Sequence, residues 1–449
     1  MRLNRDITAI KNRKTDADES VVASVQAIIN DVRKNGDAAL RRYAKKFDGF
    51  GGKLLSVTPE ERAEVLERLH CNVTNIAEVS TPRYCGIDVG EGFENISTSS
   101  GDDYFRILHR TAERLRDFHK NQLEKSWSIY KENGVMMGQI VRPLERVAIY
   151  VPGGTAVLTS TLLMCAVPAQ LAGVKEIVIF TPVKEDDKVS DEIIQAATGC
   201  GVTEIYKIGG AHAIAAAAYG TESIPKVDKI VGPGNIYVAT AKRLVYGVVD
   251  IDMVAGPSDV LVIADETANP KYVAADLLSQ AEHDVLSSSI LVTTCEKLIP
   301  QVEAEIERQM AYLKRGDIIK KSLADYGAAV HVKTIEEAFE ISNDLAPEHL
   351  EILTKEPLSH LPKVKNAGSI FLGEYTPEPL GDYMSGTNHV LPTGGTARFY
   401  SALGVYDFVK YSAYSYYPQA ALAELKDDVM NFALSEGLDA HANSVKVRF

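Results

Sequence analysis

The chain has 449 residues, enough for two or three domains, with 45% hydrophobic and 24% charged residues, the make-up of a soluble globular enzyme. A net charge of −13 argues against a nucleic-acid partner, because binding phosphate needs a basic face. No apolar run opens the chain and no apolar stretch is long enough to span a bilayer, so neither a secretory leader nor a membrane helix is expected. The five cysteines (Cys71, Cys85, Cys165, Cys200, Cys295) form no CxxC pair, which fits free thiols in a reducing, cytoplasmic setting. On that reading the N-x-[ST] triplets at Asn72 and Asn95 are chance matches.

In chain order, residues 20–48 predict an amphipathic helix, with Val21, Val25, Ile28, Ile29, Val32, Leu40 and Tyr43 at helical intervals. Further helices are expected at 57–70 and 104–132, with a Gly- and Ser-bearing loop at 86–103. From about residue 145, β-branched runs at 147–151, 177–181, 204–208, 229–231, 260–264 and 290–293 read as strands. Ala-rich segments at 160–173, 191–199 and 212–219 read as the helices between the early ones. This alternation predicts βαβ units and a mostly parallel α/β sheet. A helix at 302–313 leads into a smaller α/β set, with strands at 328–331, 352–353 and 369–372 and a helix at 335–343. A Gly-rich loop at 376–396, an aromatic-rich segment and a helix near 418–435 complete the chain. No internal repeat is present.

Two glycine loops follow predicted strands and open helices: Val151-Pro-Gly-Gly-Thr155 and Val231-Gly-Pro-Gly-Asn235. Such loops let backbone approach a ligand and aim helix N–H groups at an anion. Neither is GxGxxG, and taken alone ordinary tight turns explain them somewhat better than nucleotide binding does.

Ser279-Gln-Ala-Glu-His283 ends an apolar helix and places Gln280 and His283 three apart, on one face. An amide oxygen and an imidazole can both ligate zinc, although glutamine is uncommon in that role. A helix end with a histidine that complements the macrodipole is the alternative. Two more ligands would be needed, and Asp382, after a Pro/Gly loop, and His441, near the C-terminus, are candidates. Composition alone reads His441 as a surface histidine on a tail. Ala346-Pro-Glu-His-Leu350 offers adjacent Glu348 and His349, able to serve two proton transfers. A helical first turn in which Glu348 only complements the dipole is the competing explanation.

Taken together, VRKNGDAALRRYAKKFDG, VAIYVPGGTA, VDKIVGPGNIYVATAKR, DMVAGPSD, LLSQAEHD, LAPEHLE, GDYMSGTNHVLPTGGTAR and GLDAH resemble the histidinol dehydrogenase family over nearly the whole chain. The resemblance implies an α/β fold of two incomplete Rossmann-like parallel-sheet domains with helical N-terminal and C-terminal extensions, in an intertwined dimer. The corresponding divisions are 1–135, 136–255, 256–396 and 397–449. It also implies oxidation of L-histidinol through L-histidinal to L-histidine, using NAD+ and one Zn2+ per subunit. Gln280, His283, Asp382 and His441 would be the metal ligands and would also meet the substrate. Glu348 would activate water, and His349 would be the acid–base group and a substrate contact. Ser160, Ser258, His389 and Glu436 would touch substrate, while Tyr150, His212 and Asn235 would face NAD+. Glu436 and His441 would reach a site in the partner chain, so the active sites of the homodimer would be shared.

The sequence departs from the family pattern at four places. His212 replaces a glutamine, Val157 a proline, Leu115 an asparagine, and Asp259 the glutamate that follows AGPS. The departures at His212 and Val157 keep open a paralogue that acts with the same machinery on another small alcohol, such as a sulfonated or polyhydroxylated one. A non-catalytic scaffold would have lost Glu348, His349 or a metal ligand, and none is lost.

Overall fold

The computed structural model describes residues 3–11, 18–52, 54–69, 101–153, 158–183 and 187–449. Cys71, Cys85, Asn72, Asn95, Val157 and most of the expected 86–103 loop lie outside the described residues.

The helix Glu19–Asp48 buries Val25, Ile29, Val32, Ala39, Leu40 and Ala44 along one side, as its periodicity requires. It kinks at Gly36, whose φ of 47° suits a residue without Cβ. Pro59–Arg68 opens with a capping box between Thr58 and Glu61. The next helix, Gly101–His119, is shorter than the expected 104–132, and one 3-10 turn follows at Lys120–Gln122. The remainder becomes strand β1 (Trp127–Tyr130), which pairs antiparallel with β2 (Met136–Pro143). Distant pairing overrides local helical periodicity here.

Five parallel strands follow: β3 (Arg146–Tyr150), β4 (Glu176–Phe180), β5 (Glu204–Tyr206), β6 (Lys229–Val231) and β7 (Asp250–Ile251), in the spatial order β5-β4-β3-β6-β7. A second parallel sheet contains β8 (Asp259–Ala264), β9 (Ser288–Thr293), β10 (Gly327–His331), β11 (His349–Leu353) and β12 (Ser369–Leu372), in the order β10-β9-β8-β11-β12. Numbered within each sheet, both orders are 3-2-1-4-5. That is a dinucleotide-binding sheet without its sixth strand, so "incomplete Rossmann-like" describes both. Their strands read as near-continuous apolar runs because helices cover both faces; β3, β8 and β9 are buried throughout. The aromatic-rich segment forms β13 (Val409–Tyr416), paired residue for residue with β2 from Val409–Pro143 to Tyr416–Met136. Helices Gln419–Ser435 and Asp439–Lys446 close the chain.

The first core joins the long N-terminal helix to the first sheet, and Leu115 lies fully buried in it, where a leucine side chain serves packing. Two further clusters cover the faces of the second sheet. Asn4 adds a bridge to the edge strand β10 through Ala329 N–H to Asn4 O at 2.7 Å. Among the described residues no helix is long and apolar enough to cross a membrane.

Candidate active site

The polar cluster lies at the amino ends of β8 and β11 in the second sheet. The helix Ile335–Leu345 ends at Ala346, whose φ of 50° reverses the chain sharply before Pro347. Glu348 and His349 then enter β11. The helical first turn considered for Glu348 is therefore absent, and with it the macrodipole explanation.

Asp259, at the start of β8, organises this edge. Its Oδ1 accepts the Glu348 N–H at 2.7 Å and its Oδ2 accepts the Gly394 N–H at 3.2 Å. Its own N–H donates to Glu348 Oε2 at 3.1 Å, leaving Glu348 Oε1 for another partner. Asp259 thus ties three segments together. Burial, then the charge of Asp259, push the Glu348 carboxyl well above the usual carboxylate range.

His349 is buried, and its Nδ1 lies 3.1 Å from the Asp259 carbonyl. A carbonyl can only accept, so Nδ1 carries the proton and Nε2 presents a bare lone pair. That Nε2 has no hydrogen-bond partner among the described residues and lies 3.6 Å from Glu378 Oε1, itself buried and unpartnered. Burial lowers the His349 pKa to about 4 and raises that of Glu378 to about 8.

Gln280 is fully buried in the last turn of Pro270–Ala281, and His283 lies just past that helix. The shared face holds, with Gln280 Nε2 3.4 Å from His283 Nδ1. Gln280 Oε1 has no partner among the described residues. An orphaned buried amide oxygen costs free energy unless something occupies it, and a divalent ion beside an imidazole and a carboxylate would do so. Asp382 lies in the short helix Glu378–Tyr383, within the predicted 376–396 loop. His349, Glu378 and Asp382 bring one ligand atom each to within 4.8 Å of one another.

A second strand of contacts joins this cluster to the first sheet. His389 Nδ1 donates to the Asp382 carbonyl at 3.0 Å, and its Nε2 lies 3.1 Å from the Thr161 hydroxyl. Thr161 and Ser160 sit in the first turn of Thr159–Ala172, after the Val151-Pro-Gly-Gly loop. Ser258 is half-buried immediately before Asp259.

The 231–235 glycine loop and the described start of the first, residues 151–153, lie at the carboxyl ends of β6 and β3, the reversal point of strand order in the first sheet. The Tyr150 hydroxyl accepts the Gly210 N–H at 3.0 Å, and burial raises its pKa to about 12. Gly232 has φ 105°, and a Cβ there would come 2.4 Å from the Tyr150 carbonyl oxygen. Asn235 caps the helix Ile236–Val245 by accepting the Tyr237 and Val238 N–H groups. His212 is 1% exposed, packed against Tyr43 and Phe47 and 3.7 Å from Asp48. Burial lowers its pKa to about 4 and raises that of Asp48 to about 6.

One family's sequence model, histidinol dehydrogenase, matches residues 11–84 and 88–449. The chain belongs to the histidinol dehydrogenase family. It is 60% identical over 439 residues to the histidinol dehydrogenase of Lactococcus lactis subsp. lactis, covering 98% of this chain and 95% of that one. It is 50% identical over 441 residues to that of Clostridium acetobutylicum, with 98% and 95% covered. The crystal structure of histidinol dehydrogenase from Elizabethkingia anophelis matches with a TM-score of 0.86 at 37% identity, over 99% of this chain and 96% of that one. The chain is thus a dehydrogenase of histidine biosynthesis.

For a histidinol dehydrogenase, the residues expected from the sequence divide in space. Gln280, His283, Glu348, His349, Asp382 and His389 converge within the subunit. Glu436 and His441 line a separate cavity of the tail with Val429, Phe432 and Leu438. The sequence reading missed Glu378, Thr161 and the structural part played by Asp259. Glu378 stands between two prolines four residues before Asp382, a spacing that could have drawn attention to it.

Proposed function

We propose that the chain oxidises L-histidinol through L-histidinal to L-histidine, with NAD+ and one zinc ion per subunit, at sites shared across an intertwined homodimer. The observation that carries this reading is the buried pairing of Glu348 and His349 beside the orphaned Gln280 amide oxygen. When bound, zinc would orient the substrate and NAD+ would take its hydride. Gln280, His283 and Asp382 would hold the metal, with His441 of a second copy as the fourth ligand. Ser160, Ser258, His389 and Glu436 would place the substrate.

His349 takes the hydroxyl proton of the alcohol on Nε2, the ring held in register by Nδ1–H on the Asp259 carbonyl. Glu348, with Oε2 tethered to the Asp259 N–H, uses Oε1 to orient and deprotonate the water that attacks the aldehyde. A cation nearby favours the ionised form that this step needs. The reversal point at β3 and β6 suits a dinucleotide. Tyr150 and Asn235 would border it, and His212 would act from beneath the Gly209–Gly210 turn.

Assembly is supported by the tail. Phe432 is 70% and Val447 68% exposed, and Trp127, Ile129 and Tyr130 are exposed on β1. Apolar surface of this kind marks a protein contact. Placing His212 among Tyr43, Phe47 and Asp48 makes its departure from the family a packing change, which gives the other-alcohol reading no support. NADH production with L-histidinol against a panel of small alcohols, including sulfonated and polyhydroxylated ones, tests the assignment. Turnover of another alcohol in preference to L-histidinol would overturn it.

A further inference from the structure

The ion pair of Lys242 and Asp252 is buried, with side chains 3% and 1% exposed. Lys242 comes from the helix Ile236–Val245 and Asp252 follows β7, so neither is among the groups assigned above. Both act on one residue. Lys242 Nζ donates to the Gly232 carbonyl at 2.8 Å and to Asp252 Oδ1, while the Gly232 N–H donates to Asp252 Oδ2 at 2.7 Å. The Met253 N–H donates to Oδ1 at 2.6 Å, which fixes the carboxylate. Every main-chain polar group of Gly232 is therefore held by this pair, at a φ of 105° and pressed against the Tyr150 carbonyl.

A buried ion pair is a poor device for stability, since apolar residues of equal volume serve as well. Its use here is geometric. We propose that Lys242 and Asp252 are positioning residues for NAD+, clamping Gly232 so that the 231–235 loop and Asn235 present one fixed surface to the dinucleotide. The proposal rests on the assignment of that loop to NAD+. The clamp closes a ring: β6 leads to Gly232, the loop to Asn235, and the helix beginning there returns Lys242 to Gly232.

The test is the paired variant Lys242→Met/Asp252→Leu, which removes both charges together. NAD+ binding is measured by calorimetry on the zinc-loaded protein, with zinc content, L-histidinol binding and the melting temperature recorded alongside. The expected result is a folded protein whose NAD+ affinity falls about tenfold or more, the change equivalent to about 1.4 kcal/mol of binding, while zinc content and L-histidinol binding stay as in the wild type. A folded paired variant with wild-type NAD+ affinity overturns the proposal. If the paired variant does not fold, Lys242→Gln and Asp252→Asn, each keeping one hydrogen bond to Gly232, decide the matter: weakened NAD+ binding in both supports the clamp, and unchanged binding in either overturns it. Wild-type protein that does not bind NAD+ removes the assignment of the loop itself, and the clamp with it.

Discussion

Replacing Glu348 with glutamine separates the two oxidations. The isostere fits the same buried space, and its amide oxygen can accept the Asp259 N–H that Glu348 Oε2 accepts at 3.1 Å. The NH2 then points where Oε1 points, offering a donor where a base is needed. Burial and Asp259 push the Glu348 pKa well above the usual carboxylate range, so the fold favours the charged form little and a neutral isostere costs little stability, on the order of 1 kcal/mol or less. The chemical effect is larger: loss of a positioned base is worth about 10²–10⁴-fold. That loss falls on aldehyde oxidation, where water must be activated, and leaves alcohol oxidation within a few-fold, because His349 serves that step. The assay follows NADH from L-histidinol in a single turnover and from L-histidinal separately, with both proteins zinc-loaded and matched in melting temperature. Equal losses in the two assays would refute the division of labour and leave His349 as the base for both steps.

Three other outcomes are expected. Gln280→Ala should lower zinc affinity by at least about tenfold, since the orphaned buried oxygen is removed from the site; competition with a chelator measures this, and unchanged affinity would exclude Gln280 as a ligand. Mixing His441→Asn and Glu348→Gln subunits, each defective in aldehyde oxidation, should restore up to about a quarter of wild-type L-histidinal oxidation, because a hybrid dimer rebuilds one intact site from one chain's core and the other's tail; no recovery on subunit exchange, or an active monomer, would argue against shared sites. The His212 pKa is depressed from 6.5 to about 4, so its contribution to stability is present above pH 6.5 and lost as pH falls toward 4. His212→Leu should therefore lose about 2–3 kcal/mol less than wild type between pH 7 and 4.5 in urea unfolding, and identical pH profiles would mean that His212 titrates normally.

The repeating strand–helix units and their parallel pairing were legible in the sequence because each rests on local pattern. β-branched runs such as 260–264 are buried on both faces, and their alternation with helices leaves few topologies. The residues proposed for the site could be picked out for a different reason: Gln280 with His283, and Glu348 with His349, lie close together along the chain. What the chain order could not express is pairing between distant segments. Residues 127–130 keep a helix-like pattern to the end, yet become a strand because 136–143 and 409–416 offer partners, and that energy comes from far along the chain. Within the predicted 376–396 loop nothing marks Glu378 as a partner of His349; folding brings its Oε1 within 3.6 Å of His349 Nε2. Nothing in the stretch around His212 foretells that the helix Glu19–Asp48 packs Tyr43 and Phe47 against its ring and encloses it. Sequence determined which groups were available and on which local element each would ride. Tertiary structure alone decided which of them would be buried together, because burial and electrostatic environment belong to the assembled surroundings of a side chain and to no stretch of sequence by itself.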